Sequence, residues 1–256
     1  MGGWSIYYDD HVTEAIERVN MVIVSYILIL LVCFGIPTVG FLVLRKKEPH
    51  MGKVFVAGCL TFFISQICIR LPILQIVLPQ YAWFTVMGSI PLLAALFYGG
   101  TAGIAEEVGR WIAIKFFLKK ERSLEYGLTF GLGHGGIEAV LIIGIPMAAQ
   151  MVQVITSQVS PDVLSVPDLL LGALERVYAI TFHVGASLLV MYGFRVRKSV
   201  IYLVLAIALH TLLDGLCVIL PTYGAGNIAI TISGILIAAA TFAIGWKLNR
   251  IANEAK

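Results

Sequence analysis

The sequence predicts an all-α, polytopic transmembrane helical bundle of about seven spans, and three observations carry that reading. Hydrophobic residues make up 59% of the 256 positions and charged residues 13%, with a mean hydropathy of +0.92. A water-soluble domain carries roughly 25% charged residues. Seven stretches stay apolar over the about 20 residues needed to cross a hydrocarbon core. Lysine and arginine gather in alternate loops between those stretches. Too little polar surface remains to cover a soluble globule, which excludes a cytosolic enzyme, a secreted disulfide scaffold and a disordered tail.

The spans follow in order at about 19–44, 54–78, 90–114, 127–150, 172–194, 199–221 and 226–246. The first follows an acidic tail where a signal peptide is basic, and it is longer than a signal-peptide core, so it reads as a retained span. The third opens near Pro91, a favourable first-turn residue, which leaves 79–89 as an interfacial segment. The loop 151–168 contains Pro161 and Pro167, which argue against another crossing. Fourteen of the eighteen basic residues fall in four alternate loops or tails, beginning with Arg45, Lys115, Arg195 and Lys247. The positive-inside rule then places the N-terminus outside and the C-terminus in the cytoplasm. The chain reads as a single membrane-embedded domain over 1–256, multi-pass in the cell membrane and surrounded by lipid. The net charge of +3 is small and unevenly placed, so it speaks for topology and against nucleic-acid binding. Cys33, Cys59, Cys68 and Cys217 lie in apolar runs without a CxxC pair and read as small buried hydrophobes. There is no internal repeat and no signal for an oligomeric state.

Charged groups at membrane depth are costly, about 2.5–3.5 kcal/mol each on insertion scales. The spans nevertheless contain Glu106, Glu107, Arg110, Glu138 and Asp214, together with His134, His183 and His210. Counting inward from the basic loops at 1.5 Å per residue, Glu106, Glu107, His134, His183 and His210 all lie roughly 12–16 Å deep. Scattered structural polar residues would not be expected to agree in depth, so these read as one site. At 100° per residue Arg110 falls between the two glutamates, and Glu106 to Arg110 is the favourable i,i+4 order. His134 with Glu138, and His210 with Asp214, share helix faces at i,i+4, where a carboxylate can fix a histidine tautomer. Gly131, Gly133, Gly135 and Gly136 around His134 permit close helix approach. In a partly dehydrated cavity, one glutamate can take the proton of a water attacking a carbonyl while histidines donate to the developing oxyanion. That chemistry is amide hydrolysis within the membrane.

At these residues the sequence resembles the CAAX-protease and bacteriocin-processing (CPBP) superfamily of intramembrane proteases, and more closely its YhfC-like branch of membrane peptidases. Glu106-Glu107-Val108-Gly109-Arg110 stands for an EExxxR motif, Phe130 to His134 for FxxxH, and His210 to Asp214 for HxxxN/D; the GHGGIE stretch is shared with the YhfC-like branch. The similarity covers about residues 90–220, the expected catalytic core. The resemblance implies Glu106 as the water-activating base, His134 and His210 as polarising or oxyanion groups, and Glu107 and Arg110 as positioning groups. Two residues rather than three separate the glutamates from Arg110, and anchoring the register on the arginine makes Glu107 the base instead. Glu138 and His183 have no place in the three motifs and, with Asp214, read as supporting residues.

The favoured reading is a metal-independent, glutamate-type intramembrane endopeptidase acting on a membrane-anchored or hydrophobic peptide. A second makes it a zinc protease with His134, His183 and His210 as ligands, assembled across three helices because neither HExxH nor HxxxH occurs. A third, from another class, is a proton- or metal-coupled carrier using the same ionisable layer. The blander readings are a structural ion pair for Glu106, Glu107 and Arg110 and helix-packing hydrogen bonds for the histidines. Arg70, Glu175 and Arg176 near span ends read as interfacial snorkellers, and His11 and His50 take no role.

Overall fold

A computed structural model describes residues 3–254 of the chain, and the side chains of 12–254. His11 and the acidic residues beside it lie outside the described side chains. The described residues form helices and turns with no strand. Helices α1 (Gly3–Leu30) and α2 (Ile36–Leu44) make one crossing, joined by a π-helical turn at Leu31–Gly35. Helix α3 (Met51–Phe62) continues through π-helical Phe63–Arg70 and Ile73–Val77 as the second. The short α4 (Ala82–Gly88) is bent by 108° from α5 (Pro91–Phe116), so 79–89 does turn out of the third crossing. Helices α6 (Leu124–Glu138) and α7 (Ile145–Ile155) make the fourth, again through a π-helical stretch at Ala139–Gly144. The last three are α8 (Val166–Arg195), α9 (Ser199–Thr222) and α10 (Asn227–Glu254). Among the described residues six helical segments are long and apolar enough to cross a membrane, and the bent α4–α5 pair makes seven.

Local chemistry explains the boundaries. Ser123 caps α6, its hydroxyl accepting from the Tyr126 amide, and Ser165 caps α8 through the Asp168 amide. Pro91 opens α5, where its missing N–H costs nothing. Pro37, Pro72 and Pro146 each follow a π-helical stretch. A proline removes one backbone donor and crowds the carbonyl four residues earlier, and a widened turn relieves both.

The bundle is built around α8. Of its apolar window 78% is buried, against 17–33% for the other five single-segment spans. Large apolar residues such as Leu31, Val39, Val204 and Leu236 are exposed on the outside, the surface a bilayer covers. Cys33 is buried and Cys59 is half-buried, donating its thiol to the Gly133 carbonyl, but Cys68 and Cys217 are exposed. The expectation of four buried cysteines therefore fails for Cys68 and Cys217, because an apolar run in a span does not show which of its side chains face the core.

Candidate functional site

The core of the bundle is polar where α5, α6, α8 and α9 meet. Glu106, Glu107 and Arg110 are 3%, 0% and 0% exposed, and His134, His183 and His210 are 0%, 4% and 2% exposed. Missing side chains bring the helices this close. A β carbon on Gly133 would run into the Phe55 carbonyl oxygen, and one on Gly99 would sit 2.6 Å from the Thr211 carbonyl oxygen. These two contacts hold α6 to α3 and α5 to α9 at backbone distance.

Each glutamate of the pair has its own surroundings. Arg110 donates from Nε to Glu107 Oε2 at 2.8 Å and from Nη2 to Oε1 at 3.2 Å. The other Arg110 donors reach the His183 carbonyl and the Ser187 hydroxyl. Glu107 Oε1 also lies 2.9 Å from His210 Nδ1. Glu106 instead meets His134 Nε2 at 2.9 Å through Oε2 and accepts from the Gln66 side-chain amide through Oε1. His183 Nδ1 is 3.9 Å and His210 Nε2 3.8 Å from the Glu106 carboxylate. Among the described residues no lysine or arginine comes within ion-pair reach of Glu106.

Glu138 lies beside this layer. Its Oε2 is 2.5 Å from His183 Nε2 and its Oε1 accepts from Arg176 at 3.0 Å. Arg176 in turn holds Glu175 at 2.6 Å. Asp214 lies one turn along α9 from His210, 3.6 Å from its Nε2, with 39% of its side chain exposed.

The structure thus brings together every residue singled out in the ionisable layer and keeps the His210–Asp214 pair at i,i+4, but rearranges the others. Arg110 binds Glu107 at i,i+3, not Glu106 at i,i+4. His134 pairs across helices with Glu106, and the carboxylate one turn away, Glu138, goes to His183. The i,i+4 reading compares positions on one helix, whereas these faces look onto other helices, where closer partners are available. Arg176 is buried in an ion-pair chain and Arg70 is half-buried with three hydrogen bonds, to Gln66, Tyr98 and Thr101, so neither snorkels. Gln66 was missed: a neutral amide in an apolar run gives no signal of its own, although the π-helix-forming Pro72 behind it is visible in the sequence.

The donor chemistry admits a metal ion. One ligand atom from each of Glu106, His183 and His210 lies within 4.8 Å of the other two. Tetrahedral zinc with bonds of about 2.0–2.1 Å separates its ligands by about 3.3 Å, so small side-chain shifts would close the set. A buried carboxylate without a guanidinium or ammonium partner needs another source of positive charge. His210 and His183 each also meet a carboxylate through their other ring nitrogen, Glu107 and Glu138 respectively, the usual support of a metal-bound imidazole. The compact trio contains Glu106 and not His134, whereas the sequence-based zinc set was His134, His183 and His210.

Comparison with known proteins bears on the same region. The model of a family described as YhfC intramembrane metalloprotease matches residues 27–167 and 144–236. The chain is 29% identical over 215 residues to the uncharacterized membrane protein YhfC of Bacillus subtilis (strain 168), covering 72% of this chain and 79% of that protein. No solved structure matches the chain. The helical crossings, the buried glutamate–histidine layer and the match over most of the length lead to one assignment: this multi-pass membrane protein belongs to the YhfC intramembrane metalloprotease family.

Proposed function

We propose that this protein is an intramembrane peptidase that hydrolyses a peptide bond of a membrane-anchored or hydrophobic polypeptide, with Glu106, His183 and His210 as the residues that hold a catalytic divalent ion. Two imidazoles and a carboxylate are a zinc donor set. The observation that carries the reading is the trio's ligand atoms, from three helices, converging within 4.8 Å on a buried carboxylate that has no lysine or arginine partner. A bound zinc ion supplies Lewis-acid polarisation of a carbonyl and a source of hydroxide at neutral pH.

The protein's own groups then have separate tasks. Glu107 accepts the Nδ1–H of His210 at 2.9 Å, which leaves the Nε2 lone pair facing Glu106. Glu138 Oε2 lies 2.5 Å from His183 Nε2 as an ion-pair contact, which places the proton on Nε2 and leaves Nδ1 facing the Glu106 carboxylate. Both tautomers are assigned from these contacts. His134 donates Nε2–H to Glu106 Oε2 and orients it. Arg110 fixes Glu107, so the guanidinium acts on the site through that carboxylate. Asp214 is half-buried and 3.6 Å from His210 Nε2, where it can take a proton from an attacking water and return it to the leaving amine. Glu106 is a ligand in this scheme and not the base that the family resemblance implied.

One contact favours the metal-independent alternative. Arg110 Nη2 lies 3.1 Å from His183 Nδ1 and occupies the lone pair a metal would use. Glu106 would then be the general base. Metal analysis of the purified protein separates the two. The expected result is about one zinc per chain, with cleavage of a membrane-anchored reporter lost on chelation and restored by zinc. Cleavage that persists without metal would move the reaction to Glu106 alone. Ion uptake by reconstituted vesicles without any cleavage would end the peptidase reading.

A further inference from the structure

Gln66 and Arg70 lie outside every motif, on the π-helical stretch Phe63–Arg70 that follows α3. Gln66 is 6% exposed, and its amide N–H donates to Glu106 Oε1. Arg70 Nη1 donates to Gln66 Oε1 at 3.1 Å, which decides which way the amide faces. Arg70 is itself clamped to α5, donating from Nη2 to the Tyr98 carbonyl at 2.7 Å and from Nε to Thr101 Oγ1 at 3.2 Å. The guanidinium, the amide and the carboxylate therefore form a directed chain that ends on Glu106.

We infer that Gln66 and Arg70 are a positioning pair that aims the Glu106 carboxylate without neutralising it. An arginine in direct contact, as Arg110 is with Glu107, would satisfy both carboxylate oxygens and compete with any other cation for them. The interposed amide has no net charge. It fills one lone-pair direction of Oε1, fixes the rotamer, and leaves the negative charge of Glu106 available to a divalent ion. A residue this far from the motifs reaches the site because the widened turn before Pro72 carries Gln66 and Arg70, four residues apart, along the face toward α5. The inference rests on the proposed role of Glu106.

The test uses the full-length protein in a bilayer mimic with two readouts. Zinc affinity is measured by competition with a chromophoric chelator. The Glu106 carboxylate band is found in the metal-free protein as the infrared difference between the parent and Glu106→Gln. Gln66→Leu should weaken zinc binding by about 10–100-fold, the usual effect of removing a group that orients a ligand, and should shift the Glu106 band. Arg70→Leu should weaken zinc less, add nothing in the Gln66→Leu background, and be largely rescued by Arg70→Lys. Far-ultraviolet circular dichroism selects folded variants, and the Arg70 series, one residue removed from Glu106, stands in should Gln66→Leu not fold. A Gln66→Leu or Arg70→Leu protein with an unmoved Glu106 band and zinc affinity within twofold of the parent overturns the inference and leaves the metal reading intact. Equal zinc affinity of parent and Glu106→Gln overturns the metal reading, and the infrared shift alone then decides whether the pair positions Glu106.

Discussion

Two glutamates one residue apart on α5 are equally buried and differently surrounded. Glu107 is held by both faces of an arginine fork and by His210, so its charge is balanced inside the protein. Glu106 is surrounded by an amide and three imidazoles, with no arginine or lysine in reach. The first arrangement is built to be stable, and the second leaves a buried charge for something else to complete. In the proposed scheme, adjacent residues of the same type thus separate structural from chemical work by their partners alone.

The contrast can be broken at either end. Glu106→Gln should lower cleavage by about 10³-fold, within the range of lost acid–base or metal chemistry. In metal-free protein the same variant should melt at or above the parent temperature, since it removes an unbalanced buried charge. A reporter-cleavage assay beside thermal unfolding in chelator checks both halves. Arg110→Leu should do the reverse, costing about 3–5 kcal/mol of stability by leaving Glu107 buried without its partner, read as a lower unfolding midpoint.

Two smaller effects sharpen the comparison. Glu138→Gln should weaken zinc binding by about 10–100-fold through loss of the carboxylate charge that faces His183. It should spare the fold, because Arg176 keeps Glu175 at 2.6 Å; competition titration and melting together test this. The smallest effect lies outside the membrane-spanning helices. Burial pushes the Glu121 carboxyl up, but the Lys53 ammonium at 3.0 Å and the Lys120 amide hold it below its ordinary 4.5 overall. A depressed folded-state value gives stability that is present above pH 4.5 and lost as pH falls through the lower folded value. The lysine of the pair is half open to solvent, so under about 1 kcal/mol is at stake. Glu121→Gln should remove that part of the acid dependence of the unfolding midpoint.

The sequence made the crossings legible because apolar length and alternating basic loops are properties of single segments. It also made the layer legible, since depth along a helix needs only a count from its end; Glu106, His134, His183 and His210 meet as that count implies. Partner choice was not legible. Which carboxylate each histidine takes depends on helix rotation and crossing, set by backbone contacts such as Gly133 against Phe55. Arg70 and Arg176 looked like snorkellers because both stand near span ends, where outward and inward directions give the same hydropathy. Gln66 was hidden for a further reason: its helix is π-wound there, so a regular 100° phase places it incorrectly.

Among the described glutamate, aspartate, arginine and histidine side chains of the ionisable layer, that of Asp214 is the most exposed, at 39%, and it sits one turn from His210 in the direction away from Lys198. In the proposed scheme a polypeptide's scissile carbonyl would reach the site past Asp214, and that approach would be the site's opening. A continuous membrane helix cannot offer a free carbonyl, because its carbonyls are already engaged four residues on. The opening would therefore admit segments that unravel readily, and a glycine or proline near the cut would matter more to the choice of target than the side chains flanking it.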